Sequence, residues 1–375
     1  MKIVRARLSN FRNHHDTAFE FGARMNVLVG DNGQGKTNAL EALSFFCLTK
    51  SFYAGADALA MRRGSASFEL EGTLASDDGR EFRVRVAYDD AQKRKKYSIN
   101  GAESESLSSV IGMFPVVVLS PENAAVTFGA PGDRRKFADL VIAQSSASYM
   151  EDLLEYRRIV RQRNRILAEA QGNDCRAALE PWSEMLAAYG ARIVRRRVRF
   201  VDEFLPIILE SYRHIVDERE VPSLRYATAV PADGTEEELA GALRAALLRR
   251  HREELRFRTT LTGPHRDDIE LSLDGLPLRQ FASQGQHKTF LVALKAAEFF
   301  YLKERCRETP VFLLDDVFSE LDEHRSRRLL TLTESLGQTF ITAVSEKVFG
   351  GAEWNGERRR FPIAGGSLIS RTAAA

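Results

Sequence analysis

Strict alternation and short apolar runs mark the two ends of the chain, and helical spacing marks its middle. Phe82, Val84, Val86 and Tyr88 share one face of an extended stretch while Arg83 and Arg85 share the other, and Phe68–Leu74 has the same two-residue period. Together they predict a half-exposed antiparallel sheet. Lys2–Leu8 predicts a first strand. MNVLVG at 25–30 and FPVVVL at 114–119 are apolar runs of buried-strand length, and the first ends in glycine, the form of a strand entering a tight turn. Residues 35–48 follow as a helix. After the glycines and proline of 129–132 the texture changes. Leu153, Tyr156, Val160 and Leu167 recur at helical spacing, as do Leu186, Tyr189, Ile193, Phe200, Phe204 and Ile207, so two helices pack along a seam. Thr235 with Glu238 forms a capping box that opens a further helix to about Arg256. Strand and helix then alternate again: a strand at 268–273 closed by Asp274-Gly275, a helix at 286–305, a strand at 311–314, a helix at 323–336 and a strand at 339–344.

This pattern predicts an α/β head made of residues 1–132 and 259–375, interrupted by a helical arm at 133–258. A helix of ~25 residues spans only about 37 Å, so the arm is a lobe rather than an extended coiled coil. Composition narrows the picture further. Lysine and arginine number 54 against 52 acids, a net charge of +2, so any contact with nucleic acid must come from a local patch. The three cysteines, Cys47, Cys175 and Cys306, lie far apart, which excludes paired CxxC sites and argues for a reducing compartment. Arg5, Arg7 and Arg12 interrupt any apolar leader, and no stretch approaches a membrane span; the expectation is a cytoplasmic protein without a membrane partner.

The strongest chemical signal is Gly30-Asp31-Asn32-Gly33-Gln34-Gly35-Lys36-Thr37, which is GxxxxGK[ST] set between a predicted strand and a predicted helix. In such a loop the backbone N–H groups close around phosphate oxygens, the helix N-terminus adds partial positive charge, the lysine reaches the outer phosphates and the threonine hydroxyl can ligate Mg²⁺. A glycine-rich turn without chemistry is the bland alternative, and the flanking elements oppose it. The run Val311–Leu314 delivers Asp315 and Asp316 to the end of a strand, the first suited to hold Mg²⁺ with Thr37 and the second to polarise an attacking water. Ser283-Gln284-Gly285-Gln286 opens a helix about 30 residues earlier, a second phosphate-binding end, and Ser319-Glu320-Leu321-Asp322 follows the two acids. That order is the order of an ABC-type ATPase: Walker A, insertion, signature, Walker B, D-loop. No asparagine precedes a lysine, so the guanine-reading NKxD is absent and ATP is the expected nucleotide.

With LSNFRN at 8–13, GDNGQGKTN at 30–38, LSPEN at 119–123, GDRRKFAD at 132–139, YRRIVRQRN at 156–164, TGPHRDD at 262–268, ASQGQHKT at 282–289 and LLDDVFSELD at 313–322, the chain resembles the RecF family of bacterial DNA-repair ATPases over nearly its whole length. The resemblance implies the following. The fold would be a head similar to those of SMC proteins with a short arm. ATP and Mg²⁺ would drive homodimerisation. The dimer would bind DNA at gaps and single-strand/double-strand junctions, and would work with the RecO and RecR proteins to load the RecA recombinase in gap repair and the SOS response. By position, Lys36 and Thr37 take the Walker A contacts, Asp315 the metal, Asp316 the catalytic acid and Ser283 the contact to ATP held by the partner subunit. Asn10, Phe11 and Arg12 match a segment near the nucleotide in related heads. The chain departs from the wider ABC pattern at Ser345, where a switch histidine is expected, at Pro121-Glu122 in place of a Q-loop glutamine, and at Asp316, one methylene shorter than glutamate. These departures imply slow hydrolysis. The alternatives are the ATPase subunit of a membrane transporter, which the long arm, FRN and LSPEN oppose, and an SMC-like head that does not itself touch DNA.

Lys93-Arg94-Lys95-Lys96 and the arginines 192, 195, 196, 197 and 199 read either as DNA contacts or as solvated charge, the second being the simpler reading for the lysine-rich run. His265 reads equally as structural or as a loop orienter near nucleotide or DNA. Phe45 and Phe46 read as core.

Overall fold

The two strand textures build two different sheets. The computed structural model describes residues 1–53, 55–170, 175–216, 220–318, 323–350 and 353–369, and its contacts group them into two compact units. The described residues of Met1–Ala124, Ser211–Glu218 and Lys288–Ala375 form the first, and those of Ala125–Glu210 and Arg219–His287 the second. In chain order the first unit supplies β1 (Lys2–Phe11), β2 (His14–Glu20), β3 (Met25–Val29), α1 (Lys36–Leu48), β4 (Ser67–Ala75), β5 (Glu81–Asp89), β6 (Arg94–Ile99), β7 (Ala102–Glu103) and β8 (Val116–Leu119). The second supplies α2 (Ala125–Phe128), α3 (Pro131–Ser145), α4 (Ala147–Glu169), most of α5 (Arg176–Ile215), β9 (Pro222–Ala227), α6 (Glu236–Phe257), β10 (Asp268–Leu273), β11 (Leu276–Pro277) and α7 (Leu278–Phe281). The chain continues through α8 (Gln284–Cys306), which enters the first unit at Lys288, then β12 (Val311–Leu314), α9 (Glu323–Ser335), β13 (Thr339–Ala343), β14 (Arg358–Ala364) and β15 (Ser367–Leu368).

The alternating strands form an antiparallel sheet of order β2-β1-β4-β5-β6-β7. Its period of two puts Leu8, Phe68, Leu70, Val84 and Val86 inside, while Arg5, Arg7, Arg83 and Arg85 stay exposed. Phe45 and Phe46 of α1 are fully buried; Phe45 meets Phe11 and Phe68 edge-on, at centroid separations of 5.6 and 5.7 Å. Gly72 of β4 lies against the Phe46 ring, where a Cβ would come within 2.9 Å.

The continuous apolar runs form the second sheet, of order β15-β14-β3-β13-β12-β8, parallel except for the terminal β14–β15 hairpin. VVVL, VFLL and TFITA are buried at every position, as strands covered on both faces must be. Because β3, β8, β12 and β13 run parallel, their carboxyl ends share one edge. Gly30, Asp315 and Ser345 all follow strands at that edge.

The second unit departs from the sequence reading in two respects. Its helices are joined by a three-stranded sheet of order β11-β10-β9, and residues 259–287, which the sequence reading grouped with the head, pack here. The cause is polar wiring. Arg163, 1% exposed, donates to Glu254 Oε2 at 2.6 Å and to Thr260 Oγ1 at 3.0 Å, and Arg197 donates to Pro264 O at 2.6 Å. Arg134 pairs with Asp268 at 2.7 Å, and Tyr226 donates to Asp267 at 2.6 Å. Residues 260–268 are thus tied to α3, α4, α5 and β9, with α6 joined through Glu254 to Leu261 and Arg163. Because α4 is enclosed by α3, α5 and α6, its buried stripe takes in Ile159, while Val160 is half-buried. Among the described residues no helix is long and apolar enough to cross a membrane.

Candidate nucleotide-binding site

β3 ends at Val29 and α1 begins at Lys36, so the intervening glycine-rich segment turns at the carboxyl edge of the parallel sheet. Two of its glycines are fixed by geometry. A Cβ on Gly30 would meet Ile363 O at 2.3 Å, and Gly35 caps α1 with φ 109° while pressing on Asn13 Oδ1. Asp31, Asn32 and Gly33 form the exposed rim of the loop. Lys36 is nearly buried, and its Nζ donates to Gly30 O at 2.6 Å and Asp31 O at 2.8 Å. Burial pulls its pKa down, against the opposing charges of Asp316, Asp315 and Asp31. An ammonium satisfied only by two carbonyls is ready to exchange them for phosphate oxygens, which are charged and bind it more strongly.

The second strand of the site supplies the acids. Asp315, 4% exposed at the end of β12, accepts from Thr37 Oγ1 at 2.8 Å and from Thr342 Oγ1 at 2.9 Å. Burial raises its carboxyl pKa, and the Thr37 and Thr342 hydroxyls oppose that rise. Asp316 is exposed, adopts φ 50°, and its N–H donates to Thr342 Oγ1 at 2.8 Å. The two carboxylates therefore face different environments, one dry and anchored, the other open to solvent. Thr342 escapes the sequence reading because TFITA reads as an apolar strand; the signal was a hydroxyl near the carboxyl end of a central strand. A hydroxyl beside a carboxylate is a hard-oxygen donor set that fits Mg²⁺, which takes one or two protein ligands and keeps its waters.

Behind the loop lies a layer that sequence reasoning also missed. Asn13 Nδ2 donates to Gln34 O at 3.0 Å and Asn13 Oδ1 accepts from Asn38 at 2.8 Å. The turn between β14 and β15 gives its Gly366 N–H to Gln34 O at 2.9 Å and its Gly365 N–H to Gln34 Oε1 at 2.7 Å. His14, fully buried, contacts Gly35 O at 3.1 Å.

Arg12, expected near the nucleotide, spans Glu41 of α1 with two hydrogen bonds of 2.8 and 2.7 Å and donates to Leu59 O at 2.7 Å. Phe11 is core, and Asn10 is a left-handed backbone position with φ 54°. Ser283 and Gly285 belong to the second unit. There Ser283 forms a capping box at the start of α8: its N–H donates to Gln286 Oε1 at 2.7 Å and its Oγ accepts from the Gln286 N–H at 3.2 Å. Ser283 itself is exposed. Ser319-Glu320-Leu321-Asp322 lies outside the described residues. Ser345 is exposed just beyond β13, and Pro121-Glu122 opens a short turn after β8.

Of the basic runs, Lys93 pairs with Asp90, Arg94 with Glu103 and Lys95 with Asp57. Arg197 is not on an exposed face: it is 2% exposed and pairs with Asp139 at 2.8 Å. His265 is structural. Its Nδ1 accepts from Tyr156 Oη at 2.7 Å, its Nε2 faces Thr260 O at 3.2 Å, and burial pushes its pKa down to about 4.

Comparison with known proteins gives concordant matches. Residues 2–357 match the family described as RecF/RecN/SMC N terminal domain. The DNA replication and repair protein RecF of Chloroherpeton thalassium is 41% identical over 93% of this chain and 96% of its own length, and that of Salinibacter ruber is 40% identical over 92% and 85%. The solved structure of the recombination mediator protein RecF-ATPrS in the RecFOR pathway superposes with a TM-score of 0.90 at 29% identity, covering 98% of this chain and 97% of that one. An Smc head bound to the C-winged helix domain of ScpA matches with a TM-score of 0.54 at 14% identity over 98% and 96% of the two chains, a likeness of fold.

Proposed function

The chain belongs to the RecF family of ABC-type ATPases, and from that premise we propose that it is an ATP-gated DNA-repair protein whose hydrolysis serves as a switch rather than a motor. The observation that carries this reading is the contact between Thr37 and Asp315, residues far apart in sequence whose oxygens lie 2.8 Å apart at the first turn of α1. Magnesium bound with ATP there would neutralise the γ-phosphate charge. The backbone from Gly30 to Gly35 would cradle phosphate oxygens, Lys36 would exchange its two carbonyls for them, and Thr37 and Asp315 would hold the metal. Asp316, solvent-exposed on its left-handed turn, orients and polarises the attacking water. Its short reach keeps turnover slow.

Ser283, presented at the exposed start of α8, takes the γ-phosphate of a second copy, so that two chains close around ATP. On this reading the first compact unit acts as the head and the second as the arm. The dimer engages double-stranded DNA and single-strand/double-strand junctions and acts with RecO and RecR to load RecA. The relative solved in the RecFOR pathway supports that assignment.

The test is sedimentation and DNA binding with a non-hydrolysable ATP analogue. Ser283→Arg retains nucleotide binding and loses ATP-dependent dimerisation. Ser283→Ala, which loses the hydroxyl's contact and its cap at a cost of about 1 kcal/mol for the cap but introduces no bulk, keeps part of it. A Ser283→Arg protein that still dimerises on ATP would remove the two-copy site from the proposal.

A further inference from the structure

His14 and Thr17 together make more hydrogen-bond contacts than a neutral imidazole and one hydroxyl can serve. Its Nε2 lies 3.1 Å from Gly35 O and its Nδ1 3.1 Å from Thr17 Oγ1, while Thr17 Oγ1 donates to Gly366 O at 2.7 Å. The two carbonyls only accept, and the threonine has a single proton. A neutral ring and one hydroxyl bring two protons to three contacts. If Thr17 serves Gly366, Nδ1 must itself donate; if Thr17 serves Nδ1, its oxygen faces the Gly366 carbonyl with no proton between them. Only the imidazolium, a donor at both nitrogens, completes all three bonds.

We propose that His14 is a proton-linked positioning residue of the glycine-rich loop: when phosphates bind there, it takes up a proton and locks the Gly35 carbonyl, through Thr17, to the Gly366 turn. The inference rests on the nucleotide reading of that loop. Without phosphate, burial favours the neutral ring and lowers its pKa below the ordinary 6.5, with the Gly35 and Gly366 carbonyls opposing. The charged side chains on surrounding elements are engaged elsewhere. Arg12 pairs with Glu41, Asp16 with Arg7, Arg360 with Glu346, and Lys36 with the Gly30 and Asp31 carbonyls; His15 and Asp31 are exposed. Phosphate bound on the loop places several negative charges near a ring that shares Gly35 with it, and in a buried site such charges act strongly. His14 in the complex then has a higher proton affinity than in the free protein. The gain in affinity is fully present below the free-state pKa and is lost as pH rises through the complex's pKa. Gly366 also donates to Gln34 O, so the proton-linked contact through Thr17 adds a second tie between the loop and the β14–β15 turn.

Two measurements on the full chain test this. The ¹⁵N shifts of the His14 ring, with and without Mg²⁺ and a non-hydrolysable ATP analogue at pH 7, report its protonation directly. Both nitrogens protonated in the complex, with a neutral ring in the free protein, is the expected result; a neutral ring in the complex overturns the proposal while leaving nucleotide binding intact. Second, analogue affinity is measured for wild type and His14→Gln at pH 8 and pH 6, and taking the ratio cancels the titration of the nucleotide itself. The ratio should rise from pH 8 to pH 6, toward a limit of about tenfold for each unit of linked pKa shift that is reached below the free-state pKa. A ratio flat with pH overturns the proposal. Failure of wild type to bind the analogue at either pH would instead overturn the nucleotide reading on which it rests.

Discussion

Thr342 offers the sharpest test of how the two acids are held apart. Its hydroxyl donates to Asp315 Oδ1 at 2.9 Å and accepts the Asp316 N–H at 2.8 Å, and the residue is 1% exposed. Thr342→Val keeps shape and β-propensity and removes only the hydroxyl, so no cavity term enters. The Asp316 N–H loses the hydroxyl that accepts it, and Asp315 keeps Thr37 as a single hydroxyl donor. A hydrogen bond to an ionised group contributes about 1.5–3 kcal/mol and a neutral one about 0.5–1.5 kcal/mol, so the loss in unfolding free energy is about 2–4.5 kcal/mol. Urea titration followed by circular dichroism measures it, with an unchanged slope showing that the exposed surface is the same. The catalytic consequence is separate. A carboxylate freed from one of its two hydroxyls and a turn freed at φ 50° lower kcat more than they raise KM for ATP, while Thr342→Ser retains both bonds and behaves as wild type. A valine variant within about 0.5 kcal/mol of wild type, turning over normally, would refute the role assigned to this hydroxyl.

Asp316→Asn keeps size and backbone but removes the charge that polarises water; it should bind Mg-ATP, accumulate as a dimer and lose turnover, and normal turnover would move the role to another acid. Acid stability should follow His265, whose pKa in the fold lies at about 4 against an ordinary 6.5. Because the folded value is the lower one, the neutral ring contributes its full stability above about pH 6.5 and loses it as pH falls toward 4, a drop of about 3 kcal/mol. His265→Asn should flatten that part of the stability–pH curve, and an unchanged slope would place the titration elsewhere.

Apolar periodicity made the loop, its helix and the two acids legible, because each lies at the end of a run whose burial leaves no alternative. Residues that act through one polar atom were not. Thr342 is hidden in a strand that reads as apolar, and His14 stands among polar neighbours, His15 and Asp16, that face solvent. β14 was hidden for a different reason: Arg358-Arg359-Arg360 reads as exposed, yet these residues are half-buried beside Met25–Val27, with Arg358 and Arg360 ion-paired to Glu334 and Glu346. β9, with the sequence PSLRYA, sits inside a helical stretch and pairs with a strand more than 40 residues later, a partner no local window contains. Arg197 lay in a run of arginines, where helical geometry turns one residue inward while Arg195 and Arg199 stay exposed.

The place of β3 in the parallel sheet sets a timetable for synthesis. This strand leads directly into the glycine-rich loop, yet its neighbours on either side are β13 and β14, more than 300 residues downstream. At about 5–20 residues per second the ribosome needs about 15–60 s to deliver them. Throughout that interval Met25–Val29, an apolar segment with both edges unpaired, has no native sheet to join. The nascent chain must be shielded until β13 and β14 emerge, and the Gly365-Gly366 turn that backs the loop is made more than 300 residues after the loop itself.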